Sequence, residues 1–174
     1  KLVGSSAAKV ESVVIKKGDT DVSTNYAITK ENGTLTITNR EAKYEITLVA
    51  NSNTGNTYDG TKKSATGVVT DKFTFDNVEY TVSGFTTSDP NEAEAGTYPN
   101  TITAGETGFI VKDPAGNDVT AQFTVTPQNG SLEIAKRAIT VTANGGSKPY
   151  DGSAITAEAT GYTISSGTLA EGDE

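Results

Sequence analysis

Apolar and polar residues alternate along much of the chain, which is the pattern of β-strands with one buried face. The segment "YAITKENGTLTI" at 26–37 carries alternating apolar positions on both sides of an Asn-Gly pair, and "FTVTPQNGSLEI" at 123–134 has the same arrangement. Asn-Gly readily adopts positive φ at both positions of a two-residue turn. The pattern therefore predicts a tight β-hairpin in each segment.

The two-residue turn also fixes which residues face each other across each predicted hairpin. Ile28 would face Ile37 and Val125 would face Ile134, so that a β-branched pair marks the core side. Pro127 would sit where its missing N–H points away from the hairpin partner. A proline in that position is tolerated at the edge of a sheet, so we predict an edge strand here.

The remaining pattern predicts more strands and no helix. The segments after the hairpins, residues 37–48 and 134–142, contain neither Gly nor Pro. We expect each to form one continuous strand and thus a stiff connection to the next unit. No stretch shows helical spacing over ten residues, so helices should be negligible. Further strands are predicted at residues 10–16, 73–83, 108–112 and 161–165.

A long internal repeat organises the chain. Residues 18–40 align with residues 115–137 at a constant offset of 97, including Asp-Val, an aromatic residue and Asn-Gly-x-Leu-x-Ile in the same order. "YEITLVANSNTGNTYDGT" at 44–61 aligns with "RAITVTANGGSKPYDGS" at 137–153, where the second copy is shorter and the offset falls to 93 and then, at Tyr-Asp-Gly, to 92. A period of this length is the size of a domain and exceeds that of solenoid repeats.

The repeat allows two divisions of the chain into domains. We expect two domains, residues 1–92 and 93–174, because a stable fragment should not carry unpaired half-cores, and the polar stretch at 86–100 with its Gly and Pro residues would serve as the boundary. The alternative division has a half repeat, a full repeat and a second half repeat, at residues 1–42, 43–137 and 138–174.

Composition favours an all-β chain with a small core. Leu, Ile, Val and Phe make up 34 of 174 residues, and Thr and Gly are abundant. Cysteine is absent, so no disulfide supplements the core. We therefore predict tandem small β-sandwich domains, Ig-like or β-grasp-like, that form an elongated rod.

Composition also narrows the function. The chain has no His, which removes the commonest general base and metal ligand. The net charge of -8 disfavours nucleic acid as a partner. No apolar run could span a membrane, and the start of the chain does not have the pattern of a signal peptide. Because Met is absent as well, we expect a fragment or a processed product.

The tripeptide Tyr-Asp-Gly occurs at equivalent points of the repeat, residues 58–60 and 150–152. An Asp in such a turn bonds to nearby backbone, and Gly accepts positive φ. The Tyr would give its ring to the core and its hydroxyl to a nearby carbonyl. These residues are thus predicted to end a strand at a corner of the fold.

Together these motifs resemble the YDG/MBG-type repeats of large bacterial surface proteins. The resemblance implies a non-catalytic stalk or spacer of an extracellular adhesin, at the cell surface or secreted, whose partners are neighbouring repeats of the same chain. The alternative is a module that binds host glycan or mucin. No cofactor is implied. The first copy departs from the pattern in the longer "TNREAKYEI" and at residues 70–84. The matching elements are residues 21–28, 32–37, 46–50 and 58–60, and again 118–125, 129–134, 139–143 and 150–152.

Several acidic residues are candidate Ca²⁺ ligands, since carboxylates and carbonyls bind that ion. These are the stretches at 18–21, 113–118 and 171–174, together with Asp59 and Asp151. None has the spacing of a calcium loop, and Asp is common in turns for backbone reasons. We therefore expect plain turns and no metal site.

Two other chemistries have candidate residues. Glu92, Glu94 and Glu106 could act as paired carboxylates in glycoside hydrolysis, but a sugar cleft usually has aromatic walls and Trp is absent. Lys16 and Lys112 occupy equivalent strand positions and could form an isopeptide crosslink if buried, although an alternating strand places them on its wet face. We therefore predict no catalytic residue.

One unit is rich in aromatic residues. In the favoured interpretation they belong to the core, and the alternative is a face that contacts sugar or protein. Phe73 and Phe75 would share a strand face, with Tyr80 at the start of the partner strand. The full set is Phe73, Phe75, Tyr80, Phe85 and Tyr98.

Overall fold

The computed structural model describes residues 2–153 and 161–174, and their regular structure is almost entirely β. Within these residues the helical elements are two 3₁₀ turns, Ser23–Asn25 and Thr120–Gln122, so the predicted all-β class is confirmed. The strands are β1 Gly4–Ala8, β2 Lys16–Lys17, β3 Thr20–Asp21, β4 Gly33–Ile37, β5 Tyr44–Val49, β6 Asn53–Thr57, β7 Lys63–Ser64, β8 Lys72–Phe75, β9 Val78–Ser83, β10 Phe85–Thr87, β11 Asn91–Glu92, β12 Gly96–Asn100, β13 Ile102–Ala104, β14 Ile110–Lys112, β15 Phe123–Gln128, β16 Gly130–Ala135, β17 Thr140–Ala143 and β18 Tyr162–Ser166.

The sheets fall into three groups along the chain. In residues 1–42, here the N-terminal segment, β1 pairs with β4 and β2 with β3, both antiparallel. In residues 138–174, the C-terminal segment, β17 pairs with β18. All other pairs join strands of residues 43–137, the middle unit. Four of its sheets join a strand before residue 92 to one after it, so a cut at 92 would separate strands that pair with each other.

Two parallel pairs form the frame of the middle unit. β5 runs parallel to β15, with Tyr44 opposite Phe123. β6 runs parallel to β16, whose other edge pairs antiparallel with β12. The remaining sheets, β8–β9–β14, β10–β13 and β7–β11, are antiparallel. A parallel pair needs a long crossover between its strands, and this crossover is residues 58–122 here.

The two predicted Asn-Gly hairpins are wrong. β15 and β16 follow one another but pair with different strands, and in the N-terminal copy residues 27–32 form no strand. Asn129 instead accepts a hydrogen bond from the Ile102 N–H at 3.0 Å. A Cβ on Gly130 would lie 2.2 Å from the Asn51 carbonyl oxygen. Glycine is therefore needed here for a close approach of two backbones, and the Asn-Gly signal reflects that approach instead of a turn.

Other strand predictions had mixed outcomes. Pro127 lies in an edge strand as predicted, although its neighbour is β5. The pattern at 73–83 forms the hairpin β8–β9, which turns at Asp76 and Asn77 with positive φ at both. β14 and β18 confirm the predictions at 108–112 and 161–165. Of residues 10–16 only Lys16 is in a strand.

The predicted continuous strands across the unit boundaries are wrong. β4 ends at Ile37 and β5 begins at Tyr44, while β16 ends at Ala135 and β17 begins at Thr140. A strand that continued would need a pairing partner along its whole length, and none spans the boundary. Hydrogen bonds from side chains hold each flanking segment to the middle unit instead.

The buried apolar residues lie almost entirely in the middle unit. The larger cluster contains Ile46, Leu48, Val82 and Val111 beneath a layer of aromatic rings. A smaller cluster of Ala65, Leu132 and Ile134 packs under Tyr58 and Tyr98. The one buried apolar residue of the described chain outside this unit is Ala170. The hydrophobic stabilisation of the chain is thus concentrated between residues 46 and 134.

The repeat seen in the sequence recurs as local geometry. Gly4 lies opposite Ile37 in the β1–β4 pair, as Gly96 lies opposite Ile134 in the β12–β16 pair. The two 3₁₀ turns also begin alike, with φ of -120° at Val22 and -125° at Val119, the residues that precede them. The N-terminal segment therefore reproduces part of the second half of the middle unit.

Candidate functional site

The two Tyr-Asp-Gly turns have the predicted chemistry. Asp59 Oδ1 accepts hydrogen bonds from the Thr61 N–H at 2.9 Å and the Thr61 hydroxyl at 2.6 Å, and Asp151 makes the same bonds to Ser153. Gly60 and Gly152 have φ of 78° and 75°. Asp in these turns therefore accepts the backbone N–H two residues further on, as the sequence indicated.

A lysine completes each turn. Lys63 Nζ lies 2.7 Å from Asp59 Oδ2, and Lys148 Nζ lies 2.9 Å from Asp151 Oδ1. Hydrogen bonds from Lys63 and Thr61 hold the pKa of Asp59 well below its ordinary value. Those from Ser153 and Lys148 lower the pKa of Asp151 to about 2. Both carboxylates are thus occupied by donors of their own turn.

The tyrosines of the two turns differ. Tyr58 is half-buried against the smaller core cluster, and its hydroxyl donates to Asp173 Oδ1 at 3.1 Å, so its predicted partner, a carbonyl, is wrong. This bond raises the pKa of the Tyr58 hydroxyl. Tyr150, its repeat equivalent, is 98% exposed. The turn therefore forms in both copies, but only the first packs its ring.

The acidic stretches at 18–21 and 113–118 also serve turns. Asp21 accepts the Ser23 N–H and Asp118 accepts the Thr120 N–H, at 2.8 and 2.9 Å, in equivalent positions of the repeat. Asp113 binds the backbone N–H groups of Ala115 and Asn117. Across residues 2–153 and 161–174 no group of three Asp or Glu side chains is placed to hold a metal ion.

The glutamates considered for hydrolysis and the lysines considered for a crosslink are all exposed. Glu92 lies in β11, and Glu94 and Glu106 lie in turns. Lys16 and Lys112 are exposed at equivalent positions in β2 and β14. The buried environment that an isopeptide bond requires is therefore missing at both lysines.

The predicted aromatic residues are divided between the two core clusters. Phe73, Phe75 and Tyr80 pack on the larger cluster, and Phe73 lies opposite Tyr80 in the β8–β9 hairpin, so Tyr80 lies in a partner strand, near its start, as predicted. Phe85 packs on the same cluster beside Phe109, while Tyr98 covers the smaller one. The five rings are therefore core residues and do not form one exposed face.

A groove of about 620 Å³ lies where the N-terminal segment meets the middle unit. Tyr44, Tyr80 and Phe123 form its aromatic wall, and the Arg40 guanidinium lies 4.1 Å from the Tyr44 ring centroid. A cation over a ring at this distance is a favourable contact. The Tyr44 hydroxyl donates to the Asp76 carboxylate, which raises the pKa of that hydroxyl. The polar wall is made by Asn39, Arg40, Asp113, Asp118 and Gln122.

Sequence inspection missed Arg40 and Gln122, which join the N-terminal segment to the middle unit. The Gln122 side chain accepts the Arg40 N–H at 3.0 Å and donates to the Asn39 side chain at 2.6 Å. At the second boundary, Arg137 donates to the Thr168 carbonyl and hydroxyl, both at 2.6 Å. Arg40 and Arg137 are repeat equivalents, so their recurrence was the available signal.

Comparison of the chain with protein-family models, with curated proteins and with solved structures finds no significant match. Among the described residues, no helix has the length and apolar character needed to cross a membrane.

Proposed function

We propose that this chain is a non-catalytic spacer in the stalk of a bacterial extracellular surface protein, built from tandem β-sandwich-like units that extend end to end. The observation that carries the proposal is the path of the chain through the middle unit. The chain enters at Tyr44, where β5 begins, and leaves after Ala135, where β16 ends. These points lie at opposite ends of the parallel pairs β5–β15 and β6–β16.

This path is suited to bearing tension. Tyr44 lies opposite Phe123, and Ala135 lies opposite Thr57. Force applied through the neighbouring segments pulls β5–β6 and β15–β16 past each other lengthwise. The interstrand hydrogen bonds are then loaded together, whereas force applied at one end would break them in succession. A unit loaded in this way resists extension even when its free energy of unfolding is modest.

The surface of the chain supports an extended shape. Its accessible area is 12520 Å², whereas a compact folded monomer of 18.0 kDa exposes about 8,000 Å². A globule of this length has a radius of gyration of about 16 Å. Small-angle scattering on dilute chain should give a clearly larger radius, and a value at the globular figure would contradict the extended spacer.

Force spectroscopy tests the load path. Because the chain contains no Cys, a pair of introduced thiols gives unique handles. The variant Lys43→Cys with Lys136→Cys loads the parallel strands lengthwise. The variant Thr57→Cys with Lys136→Cys places both handles at one end and peels β6 from β16. We expect a several-fold higher unfolding force in the first variant. Equal forces would remove the mechanical basis of the proposal.

A glycan-binding module is the second candidate, and the groove favours it. The half-buried Tyr44 and Tyr80 line the groove, and the Arg40 guanidinium, which lies over the Tyr44 ring, carries donors that suit sugar hydroxyls. A glycan array with immobilised mucin as an added target separates the candidates, because a pure spacer gives no signal above background. Binding that is lost in Arg40→Ala and kept in Lys62→Ala, an exposed residue outside the groove, would establish the second candidate.

A further inference from the structure

The linker between the middle unit and the C-terminal segment has no regular structure of its own. β16 ends at Ala135 and β17 begins at Thr140, so residues 136–139 join the two parts outside any strand. Two folded parts joined in this way move relative to each other unless further contacts hold them. The orientation of the C-terminal segment therefore depends on contacts made beside the linker.

The first such contact is made by the linker residue Arg137. Its Nε and Nη2 donate to the Thr168 carbonyl and hydroxyl oxygens, both at 2.6 Å. A guanidinium presents its donors in a rigid fork, so two bonds to one residue fix direction as well as distance. A Cβ on Gly167 would lie 2.5 Å from the Ala138 carbonyl oxygen. Residues 167–173, here the docking loop, thus begin directly against the linker.

The second contact lies on the Tyr-Asp-Gly turn of the middle unit. Ala170 in the docking loop is 7% exposed, and a Cβ on Gly60 would lie 3.7 Å from the Ala170 Cβ and 3.4 Å from the Glu171 carbonyl oxygen. The Tyr58 hydroxyl donates to Asp173 Oδ1 at 3.1 Å. The docking loop therefore contacts both the first and the last residue of the tripeptide.

The middle unit holds this turn in a fixed position. The Tyr58 N–H donates to the Ala135 carbonyl at 2.9 Å, so the turn is bound to the last residue of β16. The Tyr58 ring packs on the smaller core cluster. The Asp59 carboxylate accepts hydrogen bonds from Thr61 and Lys63. The turn therefore offers a fixed surface at the point where the chain leaves the unit.

We propose that the Tyr-Asp-Gly turn is the surface on which a unit docks the loop of the unit that follows it, and that this docking holds the joint in one orientation. Rotation about the linker would have to break the Arg137 contact, the turn contact or both. The proposal goes beyond a spacer role, because it assigns Tyr58 and Gly60 to contact between units. Asp59 shapes the turn, and its two neighbours receive the next unit.

The small size of the contact indicates which substitutions open it. Its apolar part is the single side chain of Ala170 against Gly60. The turn is already acidic: the bond to Asp173 and then the charges of Glu94 and Asp59 raise the pKa of the tyrosine hydroxyl. A buried Glu at position 170 would meet these like charges. Ala170→Glu with Asp173→Ala, here the docking variant, therefore removes the turn contact without altering the middle unit.

Spin labels report the orientation of the joint. Because the chain contains no Cys, the substitutions Thr124→Cys in β15 and Thr163→Cys in β18 give unique labelling sites, and both positions are exposed. The matched control is Glu174→Ala, which removes an exposed acid next to the docking loop. Near-UV circular dichroism of the core tyrosines verifies the middle unit of each variant. The continuous-wave spectrum of the label at 163 verifies that β18 keeps its structure.

Pulsed electron paramagnetic resonance measures the distance between the two labels. We expect one narrow distribution in the otherwise wild-type chain and in the control, and a distribution several-fold broader in the docking variant. A broad distribution in the wild-type background would overturn the proposal. So would a narrow one in the docking variant, because the linker would then hold the orientation without the turn. An extended chain with flexible joints is still a spacer, so either result would leave the proposed function standing.

Trypsin gives a second measurement, because the linker contains cleavage sites at Lys136 and Arg137. Proteolysis reports the population of the open form when opening and closing are fast. Cleavage after Arg137, followed by intact mass, should be several-fold faster in the docking variant than in Glu174→Ala. Cleavage after the exposed Lys17, in the N-terminal segment, is the internal reference and should not change. Equal rates after Arg137 in the two variants would show that the turn does not hold the joint.

Discussion

Replacing Gly130 by Ala tests the close approach of β16 to the start of β6. The new Cβ would lie 2.2 Å from the Asn51 carbonyl oxygen and 2.8 Å from that of Ala50. Both obstacles are backbone atoms, so no flexible side chain can move away. Overpacking of a core costs about 1–3 kcal/mol. We expect the upper end, about 3 kcal/mol, because the strands themselves must separate.

The repeat supplies a matched control for this substitution. Gly33 is the equivalent of Gly130 and also follows an Asn. A Cβ on Gly33 would meet only the Ala8 Cβ, at 3.6 Å, which is an ordinary contact. Gly33→Ala should therefore change the free energy of unfolding by less than about 0.5 kcal/mol. A small gain would arise from the lower entropy of the unfolded chain.

Urea titration followed by near-UV circular dichroism measures both variants. A loss of about 3 kcal/mol in a unit of this size lowers Tm by roughly 12–24 °C. Equal destabilisation of the two variants would mean that both glycines occupy turns with positive φ, as the two predicted hairpins require. A Gly130→Ala chain as stable as wild type would refute the close approach itself.

Three further predictions follow from the same structure. Leu132→Ala should cost about 2–5 kcal/mol in urea unfolding because the side chain is fully buried, while its equivalent Leu35→Ala should cost less than about 0.5 kcal/mol; similar losses would contradict the difference in burial. Asn100→Ala should lower Tm in calorimetry, because the Asn51 carbonyl loses the donor that the fully buried Asn100 side chain supplies, at a cost of about 1–3 kcal/mol, whereas the Gly67 carbonyl keeps the Asn51 N–H; an unchanged Tm would contradict the bond to Asn51. The hydrogen bond from Lys63 lowers the pKa of Asp59, so this carboxylate contributes stability above its unfolded pKa of about 4, and the contribution is lost as pH falls below that value. Thermal stability measured from about pH 5 to about pH 2 should fall less steeply in Asp59→Asn than in wild type, and parallel profiles would show that the turn has no such linkage.

Local chemistry was predictable from the sequence where it depends on neighbouring residues. The Asp59 turn binds its own backbone as predicted, because that bond joins residues only two positions apart. The turn at Asp76 and Asn77 that divides the single strand predicted at 73–83 is also a local feature, but it was not predicted. Pro127 also indicated an edge strand correctly, since a missing N–H limits a strand whatever its partner is.

Partner choice was not predictable in the same way. The alternating pattern around Gly130 indicates that two strands exist, but it does not indicate with which other strands each of them pairs. The actual partner of β15 is β5, about 79 residues earlier in the chain, instead of the adjacent β16, and only the packed core selects it. The groove was missed for a related reason. Arg40 looks like an ordinary exposed cation until the fold brings Tyr44 beneath it and Gln122 beside it.

The parallel β5–β15 pair has a consequence for the kinetics of biosynthesis. Its strands are 79 residues apart, so the contact order is high and folding should be slow. At a synthesis rate of about 5–20 residues per second, Ile46 and Leu48 wait roughly 4–16 s for their cover to be made. During this interval a homologous strand from an adjacent repeat can pair with β5 in place of β15. Each newly synthesised unit can therefore mispair with its neighbours until its own β15 has been made.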